Sequence, residues 1–495
     1  MEKTYYDFMN EISEEELYEK LVRYGFFTDK LPDFLETDSF WDFCKNKKHN
    51  FEVKAYDSIK FESIRNNFIP RILGIPTPMA HEILCKCIAD NWSEIKNKFK
   101  ENTKNEKYKV SRIHIRKMHG KNQLFEMNYN NYKIDGTPEI EVLIGKKFLV
   151  KTDISTCFPS IYTHSIGWAL VGKDTAKQNM ADESKWYNKL DLNARNERYG
   201  ETHGLIIGPH TSNILAEIIL TEVDRKMCEL GYEYIRNIDD YSCYVKDENE
   251  AKRFIEDLSK VLREYDLFLN HKKTSIIKLP ISVENEWVRK LNAFQFNDEI
   301  IKYTTVRAYL DMAIDLTEKF KDTAILKYAI KVINKKKLTK NAINYFIKTI
   351  FHYALIYQYL IPLLDEQILS KYNIASDDVD KIVNQIYENG VENNNYEAIM
   401  YGIYYAIKYN IELKKIEVKK ILTEENCLVP LLGYRYFKKD RENKKIIKEY
   451  AQKLNNSHDM DRNWIFVYEV LSLNELKNEW KALKRKKVTF IKNGY

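Results

Sequence analysis

The sequence predicts an α+β protein in two unequal parts, and three observations predict it. Short runs rich in Val, Ile and Tyr, bounded by turn residues, recur between about residues 107 and 280, where they read as strands. Apolar helices are interleaved with them. From about 305 to 495 the strand signals fade, and apolar residues recur at the three- and four-residue spacing of amphipathic helices. The chain has 495 residues, more than one ordinary core holds and enough for two or three domains.

Composition narrows the class. Charged residues make up 31% and hydrophobic residues 44%, the balance of a soluble globular chain rather than a disordered one. No run reaches the roughly 18 apolar residues that a membrane span needs. The start, Met1 to Asp7, lacks the apolar core of a signal peptide, so the expected location is cytoplasmic with no membrane contact. Seven scattered cysteines form no CxxC pair and suggest neither a disulfide framework nor a zinc site. A net charge of +6 is a weak pointer to a polyanionic partner.

Residues 1–60 read as amphipathic helix followed by aromatic packing. Ser13 and Glu16 have capping-box spacing, Leu17, Leu21 and Val22 follow on a helical face, and Gly25 is the stop. Phe26, Phe27, Phe34, Phe40, Trp41 and Phe43 then cluster. The prolines of Pro70–Pro78 forbid a helix, and one is expected from about Met79 to Phe99. Residues 107–150 read as strands. There Val110, Ile113 and Ile115 alternate with Arg112, His114 and Arg116, and Val142, Leu143 and Ile144 form a later run. Basic side chains on such a hairpin suit phosphate contacts, and equally a charged edge strand guarded from aggregation.

Next, Phe148 to Val150 form an apolar run leading into Asp153, then a turn and a helix from about Ile161. Gly204 to Leu220 is a glycine- and proline-bearing entry to an apolar helix, with Ser212 or Asn213 as candidate caps. Tyr234 to Val245 reads as a β-hairpin with Asp239 and Asp240 at its tip. By itself that pair is either an exposed turn or a site of chemistry. Residues 249–265 read as helix, and Asp266 to Ile277 as turn, strand, basic turn and strand.

In the helical part, Ala324, Ile325, Tyr328, Ala329 and Val332 make one stripe, and Ile399, Ile403, Ala406 and Ile407 another. Pro362-Leu363-Leu364 recurs as Pro430-Leu431-Leu432, a hint of stacked helical hairpins. Lys335–Lys337 and Lys481–Lys492 are basic runs, read as solvated faces or polyanion contacts.

The acidic residues fall in one pattern: a strand ending at Asp153, a glycine-rich helix entry, then a hairpin bearing Asp239 and Asp240. Carboxylates converging on one sheet edge make a hard-oxygen site suited to Mg²⁺, with Mn²⁺ as the alternative. Two such ions can activate a hydroxyl and stabilise a leaving pyrophosphate, which is nucleotidyl transfer.

This order of segments resembles the palm motifs of reverse transcriptases. Asp153 to Phe158 (DISTCF) resembles motif A, Gly204 to Leu220 motif B, Arg236 to Tyr241 (RNIDDY) the core of motif C, and Leu269 to Thr274 (LNHKKT) motif D. Arg71 to Pro78 and Trp92 look like fingers motifs, so the resemblance covers roughly residues 20–290. Within that superfamily the chain is most similar to abortive-infection and other defence-associated bacterial reverse transcriptases, on the DISTCFPSIYTHSIGWAL and IGPHTSNILAEIIL stretches and the helical C-terminal region.

The resemblance implies an N-terminal helical extension (1–60), fingers (61–150), palm (151–300) and an α-helical, repeat-like domain (305–495) in place of a normal thumb. It also implies RNA-directed or template-independent DNA synthesis in anti-phage defence. Protein priming on a tyrosine, a partner non-coding RNA and homo-oligomers occur among relatives.

By carry-over, Asp153 and Asp239 hold the metals with Asp240 and the Ile154 carbonyl assisting, and Lys273 acts on the pyrophosphate. Phe158 is the steric gate that selects dNTPs. Gly208 permits close approach beneath the nucleotide, Arg112 and Arg116 are candidate triphosphate contacts, and Tyr495 is a candidate primer. Two departures, Asn237 for the usual Tyr and Ile206-Ile207 for Pro-Gln, bear on template copying rather than on the metal ligands. The alternatives are a non-catalytic RNA-binding scaffold and a conventional retron- or intron-type reverse transcriptase.

Overall fold

The structure is a computed structural model that describes residues 3–46, 51–64, 70–118, 120, 122–125, 136–282, 284–455 and 459–495. Its centre is a four-stranded antiparallel sheet in the order β4-β5-β3-β6, formed by β3 (Phe148–Asp153), β4 (Tyr234–Asn237), β5 (Asp240–Val245) and β6 (Ser275–Lys278). Strand β5 alternates as an amphipathic strand should, burying Tyr241, Cys243 and Val245. The buried face is covered by two helices, His210–Glu229 and Glu248–Arg263. Phe254 of the second helix meets the ring of Tyr234 at 5.9 Å.

A separate antiparallel hairpin, β1 (Ile59–Ile64) and β2 (Pro70–Ile75), lies beside the segment that precedes the long helix, where Gly74 N–H donates to the Ile207 carbonyl at 3.0 Å. Beyond the sheet the described residues are mainly helical, with a short parallel pairing of β7 (Ile300–Ile301) with β8 (Lys337–Leu338). Helices Ser376–Glu392 and Tyr396–Tyr409 form a tight antiparallel pair. It is tight because Gly402 faces the Tyr387 backbone, where an added Cβ would lie 2.9 Å from that residue's Cα. Among the described residues no helix is long and apolar enough to cross a membrane.

Several expectations are corrected. Among the described residues between 107 and 147 there is no strand, only an isolated bridge of Ser111 to Arg236. Arg112, His114 and Arg116 are buried at 1%, 1% and 4% exposure, so they form neither a phosphate-facing hairpin nor a solvated edge. Val142 and Leu143 belong to a short helix, Pro138–Leu143, which Pro at its first position and Glu139 and Glu141 in its first turn favour. The expected helix from Met79 to Phe99 is two helices, Pro78–Asp90 and Trp92–Thr103, parted at Asn91.

The long helix begins at His210, upstream of the expected caps Ser212 and Asn213. Pro209 precedes it in extended conformation, and His210 N–H already has a partner in the Gly25 carbonyl at 2.8 Å. The repeated Pro-Leu-Leu is not a structural repeat: Pro362 sits in a 3₁₀ turn, Pro430 in the first turn of an α-helix. In the helix Ala324–Ile333 the buried stripe is Ile325, Leu326, Ala329, Ile330 and Ile333, while Ala324 is exposed.

Candidate active site

Strand β3 delivers Asp153 to the sheet edge in register opposite Asp240, the first residue of β5. Asp239 is not in a strand. It occupies the two-residue turn between β4 and β5, across which Asn237 pairs with Asp240. The hairpin tip of the sequence reading therefore splits: Asp239 is in the turn, and Asp240 opens the strand. The two segments are stitched by Ile154 N–H donating to the Asp239 carbonyl at 3.1 Å. N–H and C=O of one strand residue point the same way, so the Ile154 carbonyl also faces the hairpin.

Lys273 completes the group. It lies in the turn between the Leu269 bridge and β6, and its Nζ donates to Asp153 Oδ2 at 2.5 Å. That turn is pinned to β3 by the Thr274 and Thr152 hydroxyls, 2.7 Å apart. The hydrogen bond to Asp153 raises the Lys273 pKa, and the charges of Asp153, Asp240 and Asp239 add to the effect.

Asp239 and Asp240 are pushed above the ordinary carboxylate range, first by burial. The charge of Asp153 adds to the shift of Asp239, and the charge of Asp239 to that of Asp240. Asp153 is 4% exposed, and its Oδ1 has no hydrogen-bond partner among the described residues. A buried carboxylate oxygen without a donor is costly in a finished protein interior. Here it faces a cluster of like charge, which is what a cation would relieve. Among the described residues no three His, Cys, Asp or Glu side chains form a ready-made cage. The donor set of Asp153, Asp239, Asp240 and the Ile154 carbonyl is all oxygen and fits a hard cation that completes its shell with water and phosphate.

Around these groups the chain twice takes a left-handed turn on a β-branched residue. Thr156 has φ +45 and swings β3 into the short helix Cys157–Ser160, which carries Phe158. Ile238 has φ +57, immediately before Asp239. Such residues cost of order 1–3 kcal/mol each and concentrate at functional sites. Phe158 is nearly buried, and its carbonyl accepts from Leu205 N–H at 2.8 Å, which ties it to the glycine-rich segment. Gly208 has φ +151, and a Cβ there would stand 2.7 Å from the Gly74 carbonyl oxygen. The close approach expected of Gly208 is thus made to the backbone of β2.

The remaining sequence candidates fare differently. Arg112 donates to the carbonyls of Lys109 and Gly136 at 3.3 and 2.8 Å. It is buried, with Nη1 and Nη2 on main-chain oxygens and Nε without a partner among the described residues, so it lies inside the segment before β3 rather than on an exposed, phosphate-facing strand. Arg116 is likewise buried, with its N–H on the Leu124 carbonyl. Tyr495 is not a free end: its ring stacks on Tyr404 at 5.7 Å and 18°.

Two features escaped the sequence reading as parts of the site. Arg71, on β2, is exposed, and its positive charge acts on Asp239. Arg236 is wholly buried beneath the hairpin, bound to Asp224 and Glu217. The signal for Arg236 was present, since a charge inside a buried strand demands partners.

Comparison with known proteins finds a family match over the part of the chain that holds this edge. Residues 102–308 match the family model "Reverse transcriptase (RNA-dependent DNA polymerase)". The matched segment takes in Asp153, Asp239, Asp240 and Lys273. The match indicates an RNA-directed DNA polymerase, a nucleotidyltransferase, and the α+β fold with a helical C-terminal region accords with that. Two solved structures of telomerase are also similar, each at 10% identity. The apo enzyme of Candida tropicalis has a TM-score of 0.34, with 83% of this chain and 74% of that chain covered. The Candida albicans enzyme in complex with a TWJ fragment of telomeric RNA has 0.29, with 82% and 67% covered. These scores are too low to establish a shared fold. No curated protein matches the sequence.

Proposed function

We propose that the reverse transcriptase domain joins deoxynucleotides at the Asp153–Asp239–Asp240 edge, and that this synthesis serves anti-phage defence. The observation that carries the catalytic reading is the convergence of three carboxylates and Lys273 on one sheet edge, with Asp153 Oδ1 buried and unpartnered. Asp153 and Asp239 would hold divalent Mg²⁺, or Mn²⁺, with Asp240 and the Ile154 carbonyl assisting. The bound ions would activate the attacking hydroxyl and neutralise the leaving pyrophosphate.

The chain's own residues divide the rest. Lys273, held charged by Asp153, donates a hydrogen bond to the departing pyrophosphate and is the nearest source of its proton. Arg71 supplies positive charge on the opposite wall, where triphosphate oxygens would lie. The Phe158 ring crowds a ribose 2′-hydroxyl and selects dNTPs. Gly208 holds the wall beneath the nucleotide against β2.

The defence role is supported by the resemblance of the Asp153–Leu170 and Ile207–Leu220 stretches. Protein priming, a partner non-coding RNA and a homo-oligomeric state belong to the same proposal. Priming from Tyr495 requires its release from the stack on Tyr404.

The test is dNTP incorporation by the purified chain. Asp239→Ala with Asp240→Ala should abolish it, while Phe158→Ala should retain it and admit ribonucleotides. Incorporation undiminished in the double variant overturns the active-site assignment. Plaque counts on cells expressing the wild type or the double variant test the defence role. Equal protection by both separates defence from synthesis. Mass spectrometry of nuclease-treated protein would show the primer as a nucleotide-bearing tyrosine.

A further inference from the structure

The hairpin that presents Asp239 has a weak point. Its turn begins at Ile238 with φ +57, the sign that a type II′ hairpin turn needs and normally obtains from glycine. A β-branched residue there is an outlier and must be held from outside the turn. The holder is visible: Nη1 of Arg236 donates to the Ile238 carbonyl at 2.9 Å.

Arg236 itself cannot swing. Its side chain is fully buried. Nε and Nη2 donate to Asp224 Oδ2 at 2.9 and 2.5 Å. Nη1 and Nη2 donate to Glu217 Oε2 and Oε1 at 3.0 and 3.1 Å. Both acids lie on the helix His210–Glu229, seven residues and so two turns apart, on one face. Each is held in turn by a buried phenol, Tyr234 on Asp224 at 2.7 Å and Tyr5 on Glu217 at 2.9 Å. The main chain is tied as well, with Arg236 N–H on the Val110 carbonyl and Arg112 N–H on the Arg236 carbonyl. An ion pair serving only the core would have no need of a further bond to the carbonyl of a strained turn.

We propose that Arg236 is a positioning residue for nucleotidyl transfer. Its guanidinium, clamped by Glu217 and Asp224, carries the position of the long helix to the Ile238 carbonyl and so aims Asp239. This rests on the reading of Asp239 as a metal-binding carboxylate. Arg236 touches neither substrate nor metal. Its loss should therefore lower kcat and leave the dNTP KM nearly unchanged. Ile238→Gly removes the strain at its source and should restore part of what the clamp supplied.

The experiment uses the full chain, with steady-state dNTP incorporation as readout and circular dichroism as the check on folding. Two variants weaken the clamp: Arg236→Lys, which cannot reach all three acceptors, and Glu217→Leu, which removes one acid and leaves Asp224 to balance the charge. A misaimed catalytic group should lower kcat about tenfold or more, with KM within about twofold. Adding Ile238→Gly should recover at least about threefold in either background. Wild-type kcat in the folded clamp variants, a loss borne by KM, or a loss that Ile238→Gly leaves untouched overturns the proposal. Where Arg236→Lys fails to fold, Glu217→Leu decides alone. Wild-type chain must incorporate and Asp239→Asn must not. If that contrast fails, the catalytic reading falls, rather than the clamp.

Discussion

Asp239 and Asp240 carry a cost in the metal-free protein that has a pH signature. Both have folded-state pKa values above the ordinary one near 3.8, with burial the first cause. A group raised in this way contributes its stability below the unfolded pKa and loses it as pH rises through the folded one. These two groups therefore make the metal-free chain less stable at neutral pH than at pH values below the ordinary carboxylate range. Asp239→Asn should raise its melting temperature at about pH 7 and have little effect at about pH 4, near the unfolded carboxylate value. Mg²⁺ should stabilise the wild type at the higher pH and the variant less, as thermal melts with and without the ion would show.

Much of this residue-level chemistry was legible. Asp153, Asp239 and Lys273 stand out because a charge at the end of an apolar strand, or between two of them, has few structural uses. Arg112 was misassigned because alternation with apolar neighbours looks the same whether the basic side chain meets water or is enclosed. Only the packing of residues 109–116 along β4 decides that. Arg236 went unassigned because its partners lie 12 and 19 residues upstream on a different element.

The elements that form the site are held by unusual backbone more than by propensity. Gly208 is the clearest case. Gly208→Ala would place a Cβ 2.7 Å from the Gly74 carbonyl at a φ of +151 that L-residues rarely adopt. A cost of about 1–3 kcal/mol is expected, together with displacement of β2 and its Arg71. Urea unfolding would measure the first and a raised dNTP KM the second. Glu248–Arg263 was readable because its burial follows its own helical repeat, and the strand into Asp153 because a continuous apolar run leads into it at the interior of the sheet. Residues 107–147 were not. Among the described residues of that stretch, Val110, Ile113, Ile115, Leu124 and Phe125 are buried without ladder pairing while Ile140, Leu143 and Ile144 are exposed, so the β-like alternation does not become a ladder there.

At the scale of the molecule the two ends of the chain close on each other. Glu36 N–H donates to the Phe490 carbonyl at 3.0 Å, Leu35 bridges to Ile491, and the Ser39 hydroxyl donates to the Thr489 carbonyl. The Phe490 ring lies 6.0 Å from Phe26, 5.5 Å from Phe40 and 4.8 Å from Trp464. Phe490→Ala should therefore cost about 3–5 kcal/mol, like other large core truncations. Because Phe26 lies next to Gly25, whose carbonyl holds the start of the long helix, the variant should also lower polymerase activity. An unchanged melting temperature would show that the ends are not joined in solution. Surface pairs across the same junction, such as Lys492 with Asp33, should matter little when removed singly.

The sequence by itself determined the fold class, the carboxylates and the lysine of the candidate site, and the helical character of the last third. Those depend on local periodicity and on which side chains can do the chemistry. Tertiary structure alone decided three things: that Asp239 sits in a strained turn held by Arg236, that the basic run before β3 is interior, and that the first aromatic cluster is completed by residues near the C-terminus. Each depends on partners far apart in the chain, and no local pattern records which distant group will supply a buried charge or ring with its neighbour.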